Sequence, residues 1–197
     1  DATIASASEV ILRELAEKEK LLPRIALVAM GRGGGRECAY ASDADLLVVH
    51  SPLIDSRWSS QGAVTSTLAP ILTPGESPTV LRSNAKLPAP EAARIAALFA
   101  TRLQEEMNRS STSPSLKVDY SLRPEGADGA LSRSLDALRD YYERWAEPWE
   151  LQALLRARVF CGDRDLMDSF TKIINPIRYG TAIDEGGIRQ IRLLKAR

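Results

Sequence analysis

The chain has 197 residues, enough for one domain with its own core, or for one domain with a small appendage. Its 26 basic and 26 acidic residues cancel, so it lacks the excess positive charge that drives non-specific binding to nucleic acid. The two cysteines, Cys38 and Cys161, lie far apart in sequence and do not make a disulfide scaffold, which favours a reducing cytoplasm. With a single histidine and no paired cysteines, the chain lacks a ligand set for zinc.

No apolar run approaches the ~20 residues of a transmembrane helix, and the start lacks a signal-peptide pattern. We therefore expect a cytoplasmic protein without a nucleic-acid or membrane partner. Because the chain begins at Asp1 rather than Met and ends within helical sequence, we also expect a piece of a longer protein.

The first elements predicted along the chain are a helix and two buried strands. Apolar spacing predicts a helix over Thr3–Lys18, and Pro23 ends it. Ile25–Ala29 and Leu46–Val49 are short apolar runs bounded by glycine or polar residues, which predicts strands. His50 follows the second strand, and we expect it on the surface or in a turn.

Between these strands lie a glycine cluster and Asp43-Ala44-Asp45. Residues two apart in a strand share a face, so the two carboxylates repel each other unless a divalent cation such as Mg²⁺ or Mn²⁺ neutralises them. Glycines upstream let a phosphate approach main-chain N–H groups. Taken alone, the glycines are typical of a tight turn and the aspartates of a solvated strand edge. The cluster is neither a P-loop nor a dinucleotide fingerprint.

Residues 51–90 are rich in Pro, Ser and Thr and show no periodicity, which predicts a long loop. Such loops are often functional, so the alternatives are a lid or protein-docking arm and a disordered insertion. Helical spacing returns over Pro90–Asn108.

A short β-like run over Leu116–Leu122 carries Asp119. If it pairs beside the first two aspartates, Asp119 supplies the third carboxylate that two-metal nucleotidyl transfer needs; the alternative is an edge residue. Arg123 either meets phosphate oxygens or pairs with a structural carboxylate.

The C-terminal third is predicted to be helical. Ser134 is expected to N-cap a helix over Leu135–Trp145. The aromatic residues of this helix are expected in the core, and the alternative is that one of them stacks on a nucleotide base. Further helices are predicted at the end of the chain: Trp149–Phe160, Asp165–Ile174 with Pro176 as its breaker, and a basic one over Ile188–Arg197. Arg156 and Arg158 do not share a helical face, so at most one of them is expected to reach a site.

Strand, glycines, spacer, Asp-x-Asp and strand resemble the signature of the polymerase β-like nucleotidyltransferase superfamily. The string Gly31–Asp45 is similar to that of glutamine synthetase adenylyltransferases. Val118–Pro124 together with Gly126–Gly129 resembles the second block of that family, and Trp149–Arg158 resembles its third. The resembling segments cover less than half of the chain.

The resemblance implies an α/β (α+β) nucleotidyltransferase core over residues 1–130 and a helical part over 131–197. It implies transfer of AMP from ATP to a tyrosine of glutamine synthetase, with a PII-type signalling protein as a further partner. Asp43 and Asp45 would bind both metal ions and Asp119 one of them. The triphosphate would be held by a set of neighbouring residues: Gly34, Gly35, Ser42 and Arg123.

Family members carry one domain that adds AMP and one that removes it by phosphorolysis. The segment Gln152–Asp163 looks more like the adding domain. Gly33, where the family usually has a bulky apolar residue, and the proline-rich insertion are departures, and Gly33 is expected to loosen the nucleotide cradle. The rival hypotheses are the removing domain, a non-catalytic nucleotide-binding regulatory module, and transfer to a small molecule.

Overall fold

The structure, a computed structural model, describes residues 1–19, 21–39, 42–55, 57–58, 85–109, 116–180 and 189. Its helices are α1 (Ala2–Glu19), α2 (Gly31–Gly34), α3 (Ala89–Asn108), α4 (Leu135–Arg144), α5 (Pro148–Leu154) and α6 (Arg164–Gly180), with a 3₁₀ turn at Gly126–Asp128. Its strands are β1 (Pro23–Ala29), β2 (Ala44–Ile54), β3 (Val118–Asp119), β4 (Ser132–Ser134) and β5 (Arg158–Gly162).

The strands form one small mixed sheet in the order β3-β2-β1-β5. Strand β1 pairs antiparallel with β2 on one side and with β5 on the other. The outer edge of β2 takes two short parallel partners, β3 beside Ala44 and Asp45, and β4 beside Val48–His50. The sheet is therefore mixed, and β2 is the strand that connects its halves.

Each face of the sheet carries its own apolar core. Alternate residues of β2, such as Leu46 and Val48, pack with α1 and α3 in the first core, where Phe99 is fully buried. The intervening residues, such as Leu47 and Val49, pack against α4, α5 and α6 in the second core. This period-two alternation places helices on both faces, so the predicted α+β class is confirmed.

The predicted helices in the first half are confirmed within a residue or two. They are α1 and α3, the latter with Pro90 in its first turn and Glu91 near its N-terminus. The N-cap of α4 is also as predicted, because the Ser134 hydroxyl accepts a hydrogen bond from the Ala137 N–H at 3.3 Å.

The predicted helix over Trp149–Phe160 is wrong in its second half. Helix α5 ends at Leu154, and β5 follows, with Val159 paired to Val28. An unpaired β1 edge would leave main-chain groups without partners, and the Val-Phe-Cys run suits a strand, so pairing prevails over helical continuation. Strands β4 and β5 thus bring residues beyond 130 into the same sheet. The division at residue 130 stays a prediction.

Two other boundaries differ from the sequence prediction. Strand β2 continues through Ile54, so the loop predicted from Ser51 begins later; much of it, residues 59–84, lies outside the described residues. Pro176 lies inside α6 rather than ending it, because Ile174 and Ile177 on either side of it pack into the second core. The helix predicted over 188–197 also lies outside the description, apart from Arg189.

His50 is buried within β2, so its predicted surface or turn position is wrong. Its Nδ1 lies 2.7 Å from the Ser132 hydroxyl on β4. Burial disfavours the charged imidazolium and lowers the pKa of His50 from 6.5 to about 4. His50 is therefore a neutral element of the core, on the face that packs against α1 and α3.

We expect this histidine to make folding stability depend on pH. Between pH 6.5 and 4 the unfolded chain binds a proton at His50 that the folded chain does not, so stability falls as pH drops through that window. The pKa difference corresponds to about 3 kcal/mol. Urea unfolding of wild type and His50→Asn at pH 7.5, 6, 5 and 4.5 measures it. Equal pH slopes in the two proteins would contradict the prediction.

Candidate active site

Asp45 is the second residue of β2 and Asp43 immediately precedes the strand. The glycine turn, Gly31–Gly35, lies between the end of β1 and these aspartates. Asp45 is two residues before Leu47, so its side chain lies on the face of the sheet that carries the second core. Its carbonyl accepts the Met30 N–H at 2.8 Å, which ties the end of β1 to the start of β2. Asp43 is exposed and Asp45 is half-buried.

Asp119 joins them through the pairing of β3 with β2. The parallel register sets Val118 beside Ala44 and Asp119 beside Asp45. Val118 points into the first core, so Asp119 points to the face of Asp45. A strand of two residues is held here because the Asn108 side chain acts as its other neighbour, accepting the Val118 N–H at 2.7 Å and donating to the Val118 carbonyl at 3.2 Å.

The three carboxylates interact electrostatically. The pKa of Asp45 is raised, first by burial and then by the negative charge of Asp119, with a smaller contribution from Asp43. Arg32, on the glycine turn, partly opposes the shift. Asp119 is oriented by Ser121, whose main-chain N–H and hydroxyl donate to its Oδ1 at 3.0 and 2.7 Å. The site thus holds like charges that a bound cation would relieve.

Gly31 is a site residue that the sequence reasoning missed. Its φ is +50°, and a Cβ on it would lie 2.4 Å from Asp45 Oδ2. A side chain here would therefore be strained and would press on the carboxylate. Its place as the first glycine of the cluster was visible in the sequence, but the positive φ that makes glycine necessary was not.

Gly34 and Gly35 lie at the other end of the glycine turn. A Cβ on Gly34 would lie 1.8 Å from the Arg156 carbonyl oxygen and 2.6 Å from that of Ala29. Gly34 is therefore required by close packing against the segment between α5 and β5, which the sequence did not indicate. Gly35 is exposed and faces the Arg156 guanidinium instead.

Ser42 and Arg123 are both committed to main-chain contacts. Ser42 is buried, and its hydroxyl accepts the Ala39 N–H at 3.0 Å. Arg123 is also buried, and its Nε, Nη1 and Nη2 donate to the carbonyls of Gly129, Tyr120 and Ala127 at 2.8, 2.9 and 2.6 Å. Arg123 thus clamps the turn that follows β3, which differs from the phosphate contact expected for it.

Glu150 is a buried acid of the same region, and it serves the scaffold. Its carboxylate accepts hydrogen bonds from the Tyr141 hydroxyl at 2.9 Å, the Glu125 N–H at 3.0 Å and the Glu147 N–H at 2.7 Å. Burial and this acceptor raise the pKa of Tyr141 to about 12. The aromatic cluster of α4 is therefore core at Tyr141 and Tyr142, whereas Trp145 is exposed.

The donor chemistry of the site fits a hard divalent cation. The carboxylates of Asp45 on β2 and Asp119 on β3 are close enough for the charge of Asp119 to raise the pKa of Asp45. Gly31 keeps the space beside Asp45 Oδ2 free of a side chain, so this oxygen is open to a cation. The fit is one of chemistry rather than of a finished cage, since the described residues contain no group of three His, Cys, Asp or Glu side chains placed to hold a metal ion. Asp43, Asp45 and Asp119 are the residues that would hold it.

The mixed sheet has helices on both faces, Asp45 on β2 and Asp119 beside it on the neighbouring parallel strand. This arrangement is consistent with a nucleotidyltransferase-like core. The model of the family described as glutamate-ammonia ligase adenylyltransferase matches residues 1–67 and 81–173. The chain belongs to this family of nucleotidyltransferase enzymes.

Similar proteins include three described as bifunctional glutamine synthetase adenylyltransferase/adenylyl-removing enzymes. Those of Streptomyces avermitilis and Nocardia farcinica are 35% and 36% identical to this chain over 199 and 195 residues, which cover 100% and 98% of the chain. That of Mycobacterium leprae is 33% identical over 198 residues. The chain spans about a sixth of the length of these curated relatives, 16 to 17%. Among the helices described, none is both long and apolar enough to cross a membrane.

Proposed function

We propose that this chain transfers AMP from ATP to a tyrosine hydroxyl of glutamine synthetase and releases pyrophosphate. The observation that carries the proposal is the register of β3 against β2, because it sets Asp119 beside Asp45 on one face of the sheet. The names of the relatives supply the substrate. A PII-type signalling protein as a regulatory partner and a cytoplasmic location remain part of the same proposal.

The three aspartates would bind two Mg²⁺ or Mn²⁺ ions, Asp43 and Asp45 both of them and Asp119 one. When bound, such ions neutralise phosphate charge and lower the pKa of an attacking hydroxyl. The residues themselves supply the geometry: Ser121 fixes the rotamer of Asp119, and Gly31 leaves the approach to Asp45 open. Gly34, Gly35 and Ser42 would shape the turn along which the triphosphate lies.

The chain does not offer a histidine as general base for this reaction. Its single histidine, His50, is buried against Ser132 on the side of the sheet away from Asp45. Divalent cations held by the three aspartates would instead lower the pKa of the tyrosine hydroxyl, so that a histidine base would not be required. This is the arrangement that a metal-dependent transferase requires.

The resemblance of Gln152–Asp163 favours the adding direction over removal. Intact mass of glutamine synthetase after incubation with the chain, ATP and Mg²⁺ tests it, beside a second reaction that starts from adenylylated enzyme and inorganic phosphate. We expect a gain of one AMP per subunit in the first. Loss of AMP in the second alone would assign the chain to the removing direction. No change in either, with the fold verified by circular dichroism, would contradict catalysis by this chain.

A further inference from the structure

Arg156 is fixed at the outer end of the glycine turn by main-chain packing. The carbonyl of Arg156 takes the space that a Cβ on Gly34 would fill, at 1.8 Å. Arg158 adds a second attachment, because its guanidinium donates to the Gly33 and Gly34 carbonyls at 3.1 and 3.3 Å. The connection from α5 to β5 therefore lies across α2, and it carries the Arg156 side chain to that point.

The guanidinium of Arg156 is exposed there, and within the described part of the chain it pairs with a single acid. Its Nε and Nη2 lie 3.2 Å from where a Cβ on Gly35 would be, and its Nη2 donates to the Glu37 carboxylate. Both side chains are substantially exposed, at 43% and 59%. Exposed ion pairs of this kind are weak and exchange partners readily. Glu37 itself is placed by its N–H, which donates to the Arg32 carbonyl at 2.8 Å.

The carboxylates and this guanidinium stand at opposite ends of one turn. Gly31, the first residue of α2, is against Asp45, and Gly35, just beyond the last, is against Arg156. Four residues of helix separate them by about 6 Å. A polyphosphate laid along the turn would have its inner phosphoryl groups near the aspartates and its terminal group near Arg156. A guanidinium suits that terminal group because it donates two parallel hydrogen bonds to phosphoryl oxygens.

We propose that Arg156 binds the terminal phosphoryl group of the substrate, and that Glu37 is an internal carboxylate that occupies Arg156 until a phosphoryl group displaces it. The inference deepens the proposed function and rests on it for the identity of the nucleotide. The recognised chemistry is a tetrahedral phosphoryl dianion. Its source is either the γ-phosphoryl of ATP or, in the removing direction, free inorganic phosphate.

Calorimetric titration of the chain with ATP, AMP, tripolyphosphate and inorganic phosphate, each with Mg²⁺, tests the two side chains separately. Arg156→Gln is expected to weaken ATP and tripolyphosphate binding by about 10- to 100-fold, the range for a lost charge-assisted contact. Glu37→Gln is expected to tighten both by about threefold, because the competing acid is gone. AMP has no terminal phosphoryl group at that position and should bind equally to all three proteins.

The matched control is the pair Arg102–Glu14, which joins α3 to α1 on the other face of the sheet. Its side chains are similarly exposed, at 37% and 53%, and Nη1 of Arg102 lies 3.4 Å from Oε2 of Glu14. Arg102→Gln and Glu14→Gln are expected to leave every affinity unchanged. If Arg156→Gln and Glu37→Gln shift affinity in the same direction, the pair is structural and the inference is overturned.

The outcomes also separate this inference from the proposed function. Normal AMP transfer with no response of ATP affinity to either substitution overturns the inference alone. Opposite responses with tripolyphosphate, in a chain that transfers no AMP, support the inference and overturn the function. Opposite responses with inorganic phosphate but not with ATP support the inference and assign the phosphoryl source to the removing direction. A chain that binds none of these anions overturns both.

Discussion

Asp45→Asn is expected to lower AMP transfer by on the order of 10³-fold while it raises the thermal stability of the chain. The loss of activity has a direct cause, because Asn keeps the shape of the side chain but removes the negative charge that, under the proposed function, would hold a cation beside Asp119. Asp43→Asn should lower activity comparably, because Asp43 would bind the same two ions.

The effect on folding stability has the opposite sign, because the ionised form of Asp45 is disfavoured in the folded protein. Burial and the charge of Asp119 raise the pKa of Asp45, so ionised Asp45 disfavours the folded state. Neutral Asn removes the repulsion, so the Tm of Asp45→Asn is expected to lie above that of wild type. A site that destabilises its own fold is expected where charge is assembled for catalysis.

Asp168→Asn is the matched control, since it removes one negative charge at an exposed position of α6. Calorimetry without metal and the adenylylation assay with Mg²⁺ should show both effects for Asp45→Asn and neither for Asp168→Asn. An active Asp45→Asn protein would remove Asp45 from the site. A lowered Tm would mean that the carboxylate supports the fold instead of opposing it.

What the sequence predicted well is what depends on local pattern. Two apolar runs around a glycine cluster predicted β1 and β2, and both strands are present and paired. The shared face of Asp43 and Asp45 stays a prediction, because Asp43 precedes β2. The amphipathic spacing of α3 was equally clear, since its buried residues recur at helical intervals. The pairing of Asp119 with Asp45 was a hypothesis that chemistry suggested, and the register of β3 agrees with it.

What the sequence did not predict depends on contacts between distant segments. The buried state of His50 follows from β4, which lies about 80 residues later and supplies Ser132. The strand β5 exists because β1 has an edge to pair, and the run Arg158–Gly162 alone does not separate a strand from the end of a helix. Arg123 pairs with carbonyls that a sequence motif does not record.

The glycine turn tests the difference between local pattern and contacts with distant segments. Two neighbouring glycines of α2 should respond to substitution by alanine in opposite ways. Gly34→Ala places a Cβ 1.8 Å from the Arg156 carbonyl oxygen and 2.6 Å from that of Ala29. Both obstacles are main chain, so the α5–β5 connection must move. We expect a loss of about 3 kcal/mol in the free energy of unfolding.

Gly33→Ala places its Cβ 3.6 Å from Cys38 Sγ and 3.8 Å from Ala29 Cβ, which are ordinary contacts. Alanine is a better helix former than glycine, and it reduces the conformational entropy that the unfolded chain loses on folding. Gly33→Ala should therefore gain about 0.5 kcal/mol of stability. Urea unfolding of both variants beside wild type measures the difference. Equal losses would mean that α2 tolerates no side chain anywhere. A neutral Gly34→Ala would mean that the turn and Arg156 are not in contact, and the placement of Arg156 over the glycine turn would fall with it.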